Sequence, residues 1–417
     1  MSLKCLIVGA GQSGLVLAHA LLSAGADVTV VSGRSSMDLR KGRAQITQLT
    51  LPHGLAVESS HNLSLWTGIA PRFDQVSLSV VTDGGGQVGF TGALPGIGLA
   101  VDPRVKLADW LEFFEDRGGK VVIHGLTVTD LEYFTRPGMY DVVLLAVGDG
   151  ELGQILDDDH TRAAGTRRGR NVTQAYVTGL QAPEDQVGVY SGEKGEVYAV
   201  PTLTAQGQVH SVMLIGRAAA PSFDGRTPTL DAVALGKDHA SIHHPKMLLH
   251  RMCDMLRLNH IPLWEQLREA ELLDPFSVLI KGVTPKVRRP VYTFDHGGSL
   301  LGVADTVITV PPQCGQGWEA SVRSAQVYAD RILAHAQTGR AFDASVLNSI
   351  FTAYMEHSGA YIDVFEQYVD NFWTGQLSEA EQDLFQRACA DQAVADDYVA
   401  GFANPERLVR MLRPTHT

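Results

Sequence analysis

Apolar positions along the chain change their period several times, and each change marks an element. Leu3 to Val8 is an apolar run ending in glycines, Gln12 to Ala24 carries Leu15, Leu17, Leu21 and Leu22 at helical spacing, and a second apolar run covers Val28 to Val31. Strand, helix and strand in that order, with strands apolar on both faces, predict a parallel sheet. From 32 to 66 the pattern lapses and basic residues appear, among them Arg34, Arg40, Lys41 and Arg43, so this segment is expected to be irregular. The stretch VSLSVVTDGGGQVGFTG alternates about a glycine-rich turn, which predicts an antiparallel hairpin in a different sheet.

Helical period returns in VDPRVKLADWLEFFEDRGG, where Asp102 is the expected cap, Pro103 the first helical residue and Gly118–Gly119 the stop. Lys120 to Ile123 and Asp141 to Val147 read as buried strands that rejoin the parallel sheet. AYVTGL, QVGVYSGEKGEVYAVPTL and HSVMLIG, between 171 and 217, predict further antiparallel strands. Residues 230 to 270 look helical, FSVLIKGV and KVRRPVYTF look like strands, and SLLGVADTVITVPPQCGQGWEAS reads as strand, loop and a helix reaching about 337. Beyond it, 345 to 373 and 378 to 412 are helical throughout. The expected fold is α/β: a Rossmann-like nucleotide-binding parallel sheet (1–70, 100–170 and 285–340) interleaved with a mixed-sheet domain (71–99 and 171–284), followed by a helical segment (341–417).

Composition narrows the chemistry. With 417 residues, 45% apolar, the chain can bury a large core, and a balance of 34 basic against 46 acidic residues argues against nucleic acid or an anionic membrane as partner. Cys5, Cys253, Cys314 and Cys389 lie far apart without a CxxC pair, so neither a disulfide framework nor a zinc site is expected. The first strand begins near residue 3 and no apolar run has the length of a membrane span, which makes a cytoplasmic protein the expectation. His243, His244, His250 and His260 lack carboxylate or thiol partners at ligand spacing, and no metal is expected.

Three glycine-rich turns follow strands. Gly9-Ala10-Gly11-Gln12-Ser13-Gly14 opens a helix, the context in which GxGxxG binds a dinucleotide: Gly9 for the turn, Gly11 for close approach of a pyrophosphate, Gly14 for helix packing. At the end of the second strand, where an acidic residue ordinarily accepts the ribose hydroxyls, stand Ser32, Gly33 and Arg34. A neutral hydroxyl holds more weakly than a carboxylate; Arg34 suits a 2′-phosphate, the adenine or the pyrophosphate. A second GxGxxG, Gly148 to Gly153, is followed by short charged sequence and is read as a strand closing the first nucleotide-binding unit, in preference to a separate NAD(P)H domain. The third turn, Pro311-Pro312-Gln313-Cys314-Gly315-Gln316-Gly317, lies just past Asp305 and opens a long helix. That arrangement suits a flavin, with Asp305 accepting ribityl hydroxyls and the helix N-terminus stabilising the negative charge of the reduced ring.

The order of GxGxxG, VDPRVKLADWLEFFEDRGGK, DVVLLAVGDG and GVADTVITVPPQCGQG resembles the flavoprotein aromatic hydroxylases of the para-hydroxybenzoate hydroxylase fold. Within them the chain is most similar to the oxygenase component of styrene and indole monooxygenases, over most of its length and including NPERLVRML. The resemblance implies FAD contacts at Gly9, Gly11, Gly14, Ser32, Arg34, Arg43, Arg104, Leu126, Gly148, Asp305, Pro312, Gly315, Gln316 and Gly317. It implies FAD delivered reduced by a separate NADH-dependent flavin reductase, O2 adding at the C4a carbon to give a hydroperoxide, and oxygenation, by epoxidation, of a small apolar aromatic such as styrene or indole. Thr47 and Gln48 are expected near the reacting face, with Pro312 and Trp318 opposite, and the helical tail is a candidate homodimer surface. Three positions depart from the pattern: Ala304 where a glycine is usual, Leu156 near the arginine of one-component hydroxylases, and AQITQ where the styrene enzymes carry an asparagine. A one-component NAD(P)H-dependent hydroxylase and a flavin-dependent non-oxygenase are the alternatives.

Overall fold

The computed structural model describes residues 3–81, 86–161, 169–192, 195–217, 244–258, 263–312 and 315–412. Its first sheet has six strands: β1 (Lys4–Val8), β2 (Asp27–Ser32), β5 (Lys120–Ile123), β6 (Val142–Leu145), β14 (Val291–Thr293) and β15 (Ser299–Gly302), in the order β14-β15-β6-β1-β2-β5. All neighbours are parallel except β14 and β15. Cys5 to Val8 of the central β1 are almost wholly buried, as the apolar run requires, and helix α1 (Gln12–Ser23) covers one face with Leu15, Val16, Leu17 and Leu21.

The second sheet holds β3 (Arg72–Val81), β4 (Gln87–Leu99), β7 (Arg170–Thr178), β8 (Gln186–Gly192), β9 (Gly195–Thr204), β10 (Gly207–Arg217), β11 (Glu271–Leu272) and β12 (Val278–Val283). β3 and β4 pair antiparallel, as their alternation predicts, and only β3 and β8 run parallel. Alternate residues of β9 serve two cores. Val197 and Ala199 face a cluster with Leu248, Met252 and Leu256 of an outer helix (Pro245–Leu258), whereas Tyr198 and Val200 join the main core. A two-stranded pair, β13 (Lys286–Val287) with β16 (Ile308–Thr309), bridges towards the third glycine-rich turn.

The segment from 32 to 66 contains two helices, α2 (Ser36–Lys41) and α3 (Pro52–Ser60), where irregular structure is expected from the pattern. α2 has a capping box between Ser35 and Asp38. Leu51, the N-cap of α3, offers no side-chain cap; the buried Glu319 carboxylate replaces it, accepting from the amides of Leu51 (3.0 Å) and Gly54 (3.2 Å). A Cβ on Gly54 would stand 2.4 Å from that carboxylate oxygen, so glycine is needed there.

The expected helix after Asp102 is α4 (Pro103–Asp116), with Asp102 capping the Arg104 amide at 2.9 Å; α5 (Val128–Phe134) follows β5. After the outer helix α6 (Pro245–Leu258) and the short α7 (Leu263–Leu267), the long α8 (Gly317–Ala336) packs on α1. α9 (Ala344–Thr374), α10 (Glu379–Ala390), α11 (Gln392–Ala403) and α12 (Pro405–Leu412) complete the chain. They are no loose appendage: α11 lies on β4, with Asp396 accepting from the Ala93 amide at 2.8 Å and Gln392 donating to the Thr91 carbonyl at 2.9 Å. Gly92 permits the approach, since a Cβ there would fall 2.3 Å from the Ala395 carbonyl oxygen.

Among the described residues no helix is long and apolar enough to cross a membrane, and no group of three or more His, Cys, Asp or Glu is placed to hold a metal ion. His244 and His250 are exposed, while His243 and His260 lie outside the described residues.

Candidate active site

The carboxyl ends of β1, β2 and β6 open on a cleft of about 690 Å³, closed on the other side by β12, part of β9 and β10, and the turn before α8. The carboxyl ends of parallel strands are where such sheets receive ligands, and the volume is that of a ligand cleft. At the β1 end the three fingerprint glycines do three different things. Gly9 has φ +115°, and a Cβ on it would lie 2.1 Å from the Ala146 carbonyl oxygen; a Cβ on Gly14 would lie 2.2 Å from the Gly9 oxygen. Gly11 lines the cleft, and nothing stands within 4 Å of the Cβ it lacks. Two glycines therefore weld β1, β6 and α1 together and the third leaves backbone open to a ligand. Gly11 is also the N-cap of α1 and supplies no side-chain cap, so the first-turn amides face the cleft with the positive end of the helix dipole. Beside them Gln12, 7% exposed, has an Nε2 amide without a hydrogen-bond partner.

At the end of β2 the Ser32 hydroxyl turns inward, donating to the Arg34 carbonyl at 2.6 Å and accepting from the Arg34 amide at 3.2 Å. It closes its own turn, where a carboxylate would reach out to a ribose. Ser32, Gly33 and Arg34 all line the cleft.

The far end is built from β6, β15 and α8. Gly148, at φ +60°, donates from its amide to Thr306 Oγ1 at 2.9 Å, which fixes the turn after β6 against the 3-10 turn Ala304–Thr306. The glycines at 148, 150 and 153 lead into a five-residue 3-10 helix, Glu151–Ile155, and β6 itself pairs with β1; the closing-strand reading of this segment fits that topology. Ala304 holds φ +47°, a left-handed conformation that costs a residue with a Cβ about 1 kcal/mol. A glycine, which the resemblance leads one to expect at this position, would not carry that cost. Asp305 lines the cleft, and burial pushes its carboxyl from the ordinary 3.8 up to about 7, with Asp149 adding to the shift and Lys281 opposing it. Lys281 of β12 and Asp149 themselves pair at 3.3 Å.

α8 begins at Gly317 with Gln316 as an N-cap that makes no side-chain cap bond, so a second set of open amides borders the cleft. Gln316 itself donates to the Phe402 carbonyl at 3.1 Å, and Gln48 Oε1 would lie 3.7 Å from a Cβ at Gly317. Trp318, in the first turn, lines the cleft and donates from Nε1 to Glu58 at 3.0 Å. Behind it sits a buried ion pair, Lys106 Nζ to Glu58 Oε1 at 2.7 Å, with Lys106 also donating to Thr50 at 2.9 Å. The ammonium lies 4.5 Å from the Trp318 ring centre, 4.9 Å from Trp110 and 5.9 Å from Trp66. Burial pushes Glu58 up and Lys106 down, each opposed by the partner's charge. Removing one member of such a pair costs on the order of 3–5 kcal/mol, so this cage fixes Trp318 and the start of α8.

The segment 44–49 crosses from one sheet to the other. The Thr47 amide donates to Gln174 Oε1 at 2.7 Å, Gln174 Nε2 donates to the Gln45 carbonyl at 2.9 Å, and the Thr47 hydroxyl lies 2.8 Å from Ser211 Oγ. Thr47, Gln48, Pro312 and Trp318 are thus brought to one cleft with Gly9, Gly11, Ser32, Arg34, Gly148, Asp305, Gly315 and Gly317. Gly14 and Gln316 stand behind its wall as described, and Gln313 and Cys314 lie outside the described residues. Arg43, Arg104 and Leu126 are not among the lining residues. Arg104 is bound to Asp102 at 2.7 Å and lies over the Tyr176 ring at 5.6 Å; Arg43 lies over Phe276 at 6.0 Å; Leu126 packs on the core. Sequence reasoning missed Gln12, Asp149 and Lys281 as lining residues, and it missed the part played by the C-terminal helices. A second cavity, of about 60 Å³, shares Leu49, Tyr198 and Gly315 with the cleft and is walled by Val76, Val189, Tyr368, Phe372, Tyr398 and Phe402 among others.

Two family models match the chain: an FAD binding domain over residues 2–51, which holds the fingerprint, and the styrene monooxygenase A substrate binding domain over residues 148–260, which holds β7 to β10. Styrene monooxygenase StyA of Pseudomonas fluorescens is 24% identical over 415 residues, covering 96% of this chain and 93% of that one. The chain is an FAD-dependent monooxygenase similar to styrene monooxygenase. Solved structures agree on the fold of this monooxygenase. A flavoprotein/dehydrogenase from Cytophaga hutchinsonii superposes with a TM-score of 0.62 at 14% identity, over 98% of this chain and 97% of its own. PqsL of Pseudomonas aeruginosa, a probable FAD-dependent monooxygenase, does so with 0.57 at 13% identity, over 99% of each chain. The monooxygenase's cofactor, FAD, fits the observed cleft: Gly11 leaves its backbone accessible, Gln12 presents an unpartnered buried amide, and two helix N-termini without caps border the two ends.

Proposed function

We propose that this monooxygenase is the oxygenase component of a two-component system: it takes up FAD already reduced by a separate NADH-dependent flavin reductase, in the cytoplasm, and epoxidises a small apolar aromatic of the styrene or indole class with O2. The single observation carrying this reading is the pairing of an open α8 N-terminus with a β2 end whose Ser32 closes its own turn. Such a site favours a negatively charged ring at one end while holding the ribose weakly at the other.

When bound, the flavin supplies activation of O2 and transfer of one oxygen atom. The chain's own residues have the remaining tasks. Gly11, Gln12 and Ser13 would hold the diphosphate with backbone and side-chain donors, and Asp305 would accept from the ribityl hydroxyls. Leu49, Met213, Ile215, Val310 and Trp318 give the cleft apolar wall and keep water out. Thr47 and Gln48 would border the reacting face. In this reading the FAD-binding part is 1–70, 100–170 and 285–340, the substrate part is 71–99 and 171–284, and 341–417 supplies the far wall of the small cavity.

The purified protein should consume neither NADH nor NADPH in the presence of styrene or indole. Supplied with chemically reduced FAD and O2, it should form the oxygenated product. Oxidation of NADH or NADPH by the protein alone would instead favour a one-component hydroxylase, and lack of product from both aromatics with reduced FAD would remove the oxygenase reading.

A further inference from the structure

Three tryptophans run outward from the cleft. Trp318 of α8 lines it, Trp110 of α4 lies next with ring centres 6.3 Å apart, and Trp66, in the turns after α3, follows at 6.2 Å. These separations are those of aromatic rings in contact. All three rings are buried, yet the outer end reaches water: Trp66 Nε1 donates to Asp109 Oδ2 at 3.1 Å, and the Asp109 side chain, paired with Arg40, is 26% exposed. Packing alone does not call for indoles in series, because leucine or phenylalanine fills a core without an N–H that needs a partner.

We propose that Trp318, Trp110 and Trp66 form an electron relay through which light reduces FAD bound in the cleft, with no reductase. The excited oxidised ring takes one electron from Trp318, which is refilled from Trp110, and Trp110 from Trp66. Trp66 passes its Nε1 proton to Asp109, and thence to water, and is left as a neutral radical. A dithiol in solution returns one electron and one proton to it. Two such events turn one dithiol into a disulfide and leave FAD reduced by two electrons and two protons.

The charges around the rings set the direction. Each end ring donates to a carboxylate held by a cation, Trp318 to Glu58 beside Lys106 and Trp66 to Asp109 beside Arg40, so the two ends are matched in that respect. The Lys106 ammonium, however, lies 4.5 Å from the ring centre of Trp318, 4.9 Å from Trp110 and 5.9 Å from Trp66. That charge repels a positive hole most at the cleft and least at the outer ring. The hole moves outward and the electron inward.

The inference rests on the flavin ring lying at the α8 N-terminus, as in the proposed function, but its test needs no aromatic substrate, O2 or turnover. Full-length protein loaded with oxidised FAD is illuminated with blue light, anaerobically, in dithiothreitol, and bleaching of the flavin band is followed beside free FAD treated alike. Bound FAD should bleach faster than free FAD. Trp66→Phe and Trp110→Phe leave the lining of the cleft as it is. A phenyl ring holds its electrons more tightly than indole, so each should slow bleaching at least about tenfold, which asks only a modest rise in barrier. Trp66→Tyr, whose ring can give up an electron and hand its proton to Asp109, should restore most of the rate, an outcome that a purely structural role for Trp66 does not give. Tyr198 also lines the cleft and can quench the excited ring, so the rate of reduction, and not flavin fluorescence, is the measure. Bleaching no faster than that of free FAD overturns the inference, as does a wild-type rate in Trp110→Phe. Should the variants not fold, a blue flash on the wild-type protein decides: an indolyl radical that outlives the excited flavin is expected, and its absence overturns the relay. Lack of oxygenated product with reduced FAD would sink the proposed function and leave the relay standing.

Discussion

The N-termini of α1 and α8 border the same cleft and share an unusual trait. α2, α4, α5, α9, α10 and α11 are capped by their own serine, threonine or aspartate, and α3 borrows Glu319. α1 and α8 have neither. Where the two differ is in the charge each is placed to meet. A diphosphate is anionic in every redox state of the cofactor, whereas the ring carries negative charge only after reduction. In the proposed function one terminus would anchor the cofactor and the other would respond to its electrons, with the weak ribose end at Ser32 keeping the anchor from dominating.

Changes at each end separate these roles, and the largest effect is expected at Asp305. Its carboxyl sits near 7 in the folded protein against 3.8 ordinarily. A carboxyl raised in this way keeps its proton when folded and loses it when unfolded between pH 4 and 7, so stability declines as pH rises through that window. Asp305→Asn should then stabilise the flavin-free protein at pH 8 by up to about 4 kcal/mol, an upper bound because the group faces the cleft, and by nothing at pH 3. Thermal melting at the two pH values reads this directly.

Gly11→Asp tests the α1 end. Gly11 has the extended backbone of an ordinary N-cap, φ −79° and ψ −179°, with room for a side chain. The new carboxylate would cap α1, raising stability by roughly a few tenths of a kcal/mol, since glycine is already a tolerable N-cap. It would also occupy the phosphate donors and weaken oxidised and reduced FAD alike, by about a hundredfold. Gln316→Asp is the counterpart at α8. It should lower the preference for reduced over oxidised FAD by about tenfold while changing oxidised FAD little. If it weakened both forms equally, the distinction between the two helix ends would be lost. The smallest effect belongs to Ala304→Gly, which relieves the left-handed backbone next to Asp305 and should raise stability by about 1 kcal/mol on denaturant unfolding.

Much of this was legible in the sequence where local pattern and burial agree. β1 and β2 are apolar because both faces are covered, and Gly9, Gly11 and Gly14 follow from the turn they must make. Legibility ended where the partner is distant along the chain. α3 has little periodicity and is capped by a residue more than 260 positions away, so Pro52 at its first position is the one local sign of it and does not suffice alone. The tyrosines and phenylalanines of α9 and α11 read as ordinary helix core, and only packing on the second sheet reveals that they wall a cavity. Arg104 illustrates the converse. The resemblance implies a cofactor contact there, yet its nearest charge is Asp102, the cap of its own helix.

The central claim is that the α8 terminus favours the reduced ring. Anaerobic titration of the protein with oxidised and with reduced FAD, under one set of conditions, compares the two dissociation constants. The account predicts reduced FAD bound at least about tenfold more tightly. Equal affinities, or tighter binding of the oxidised form, would contradict it.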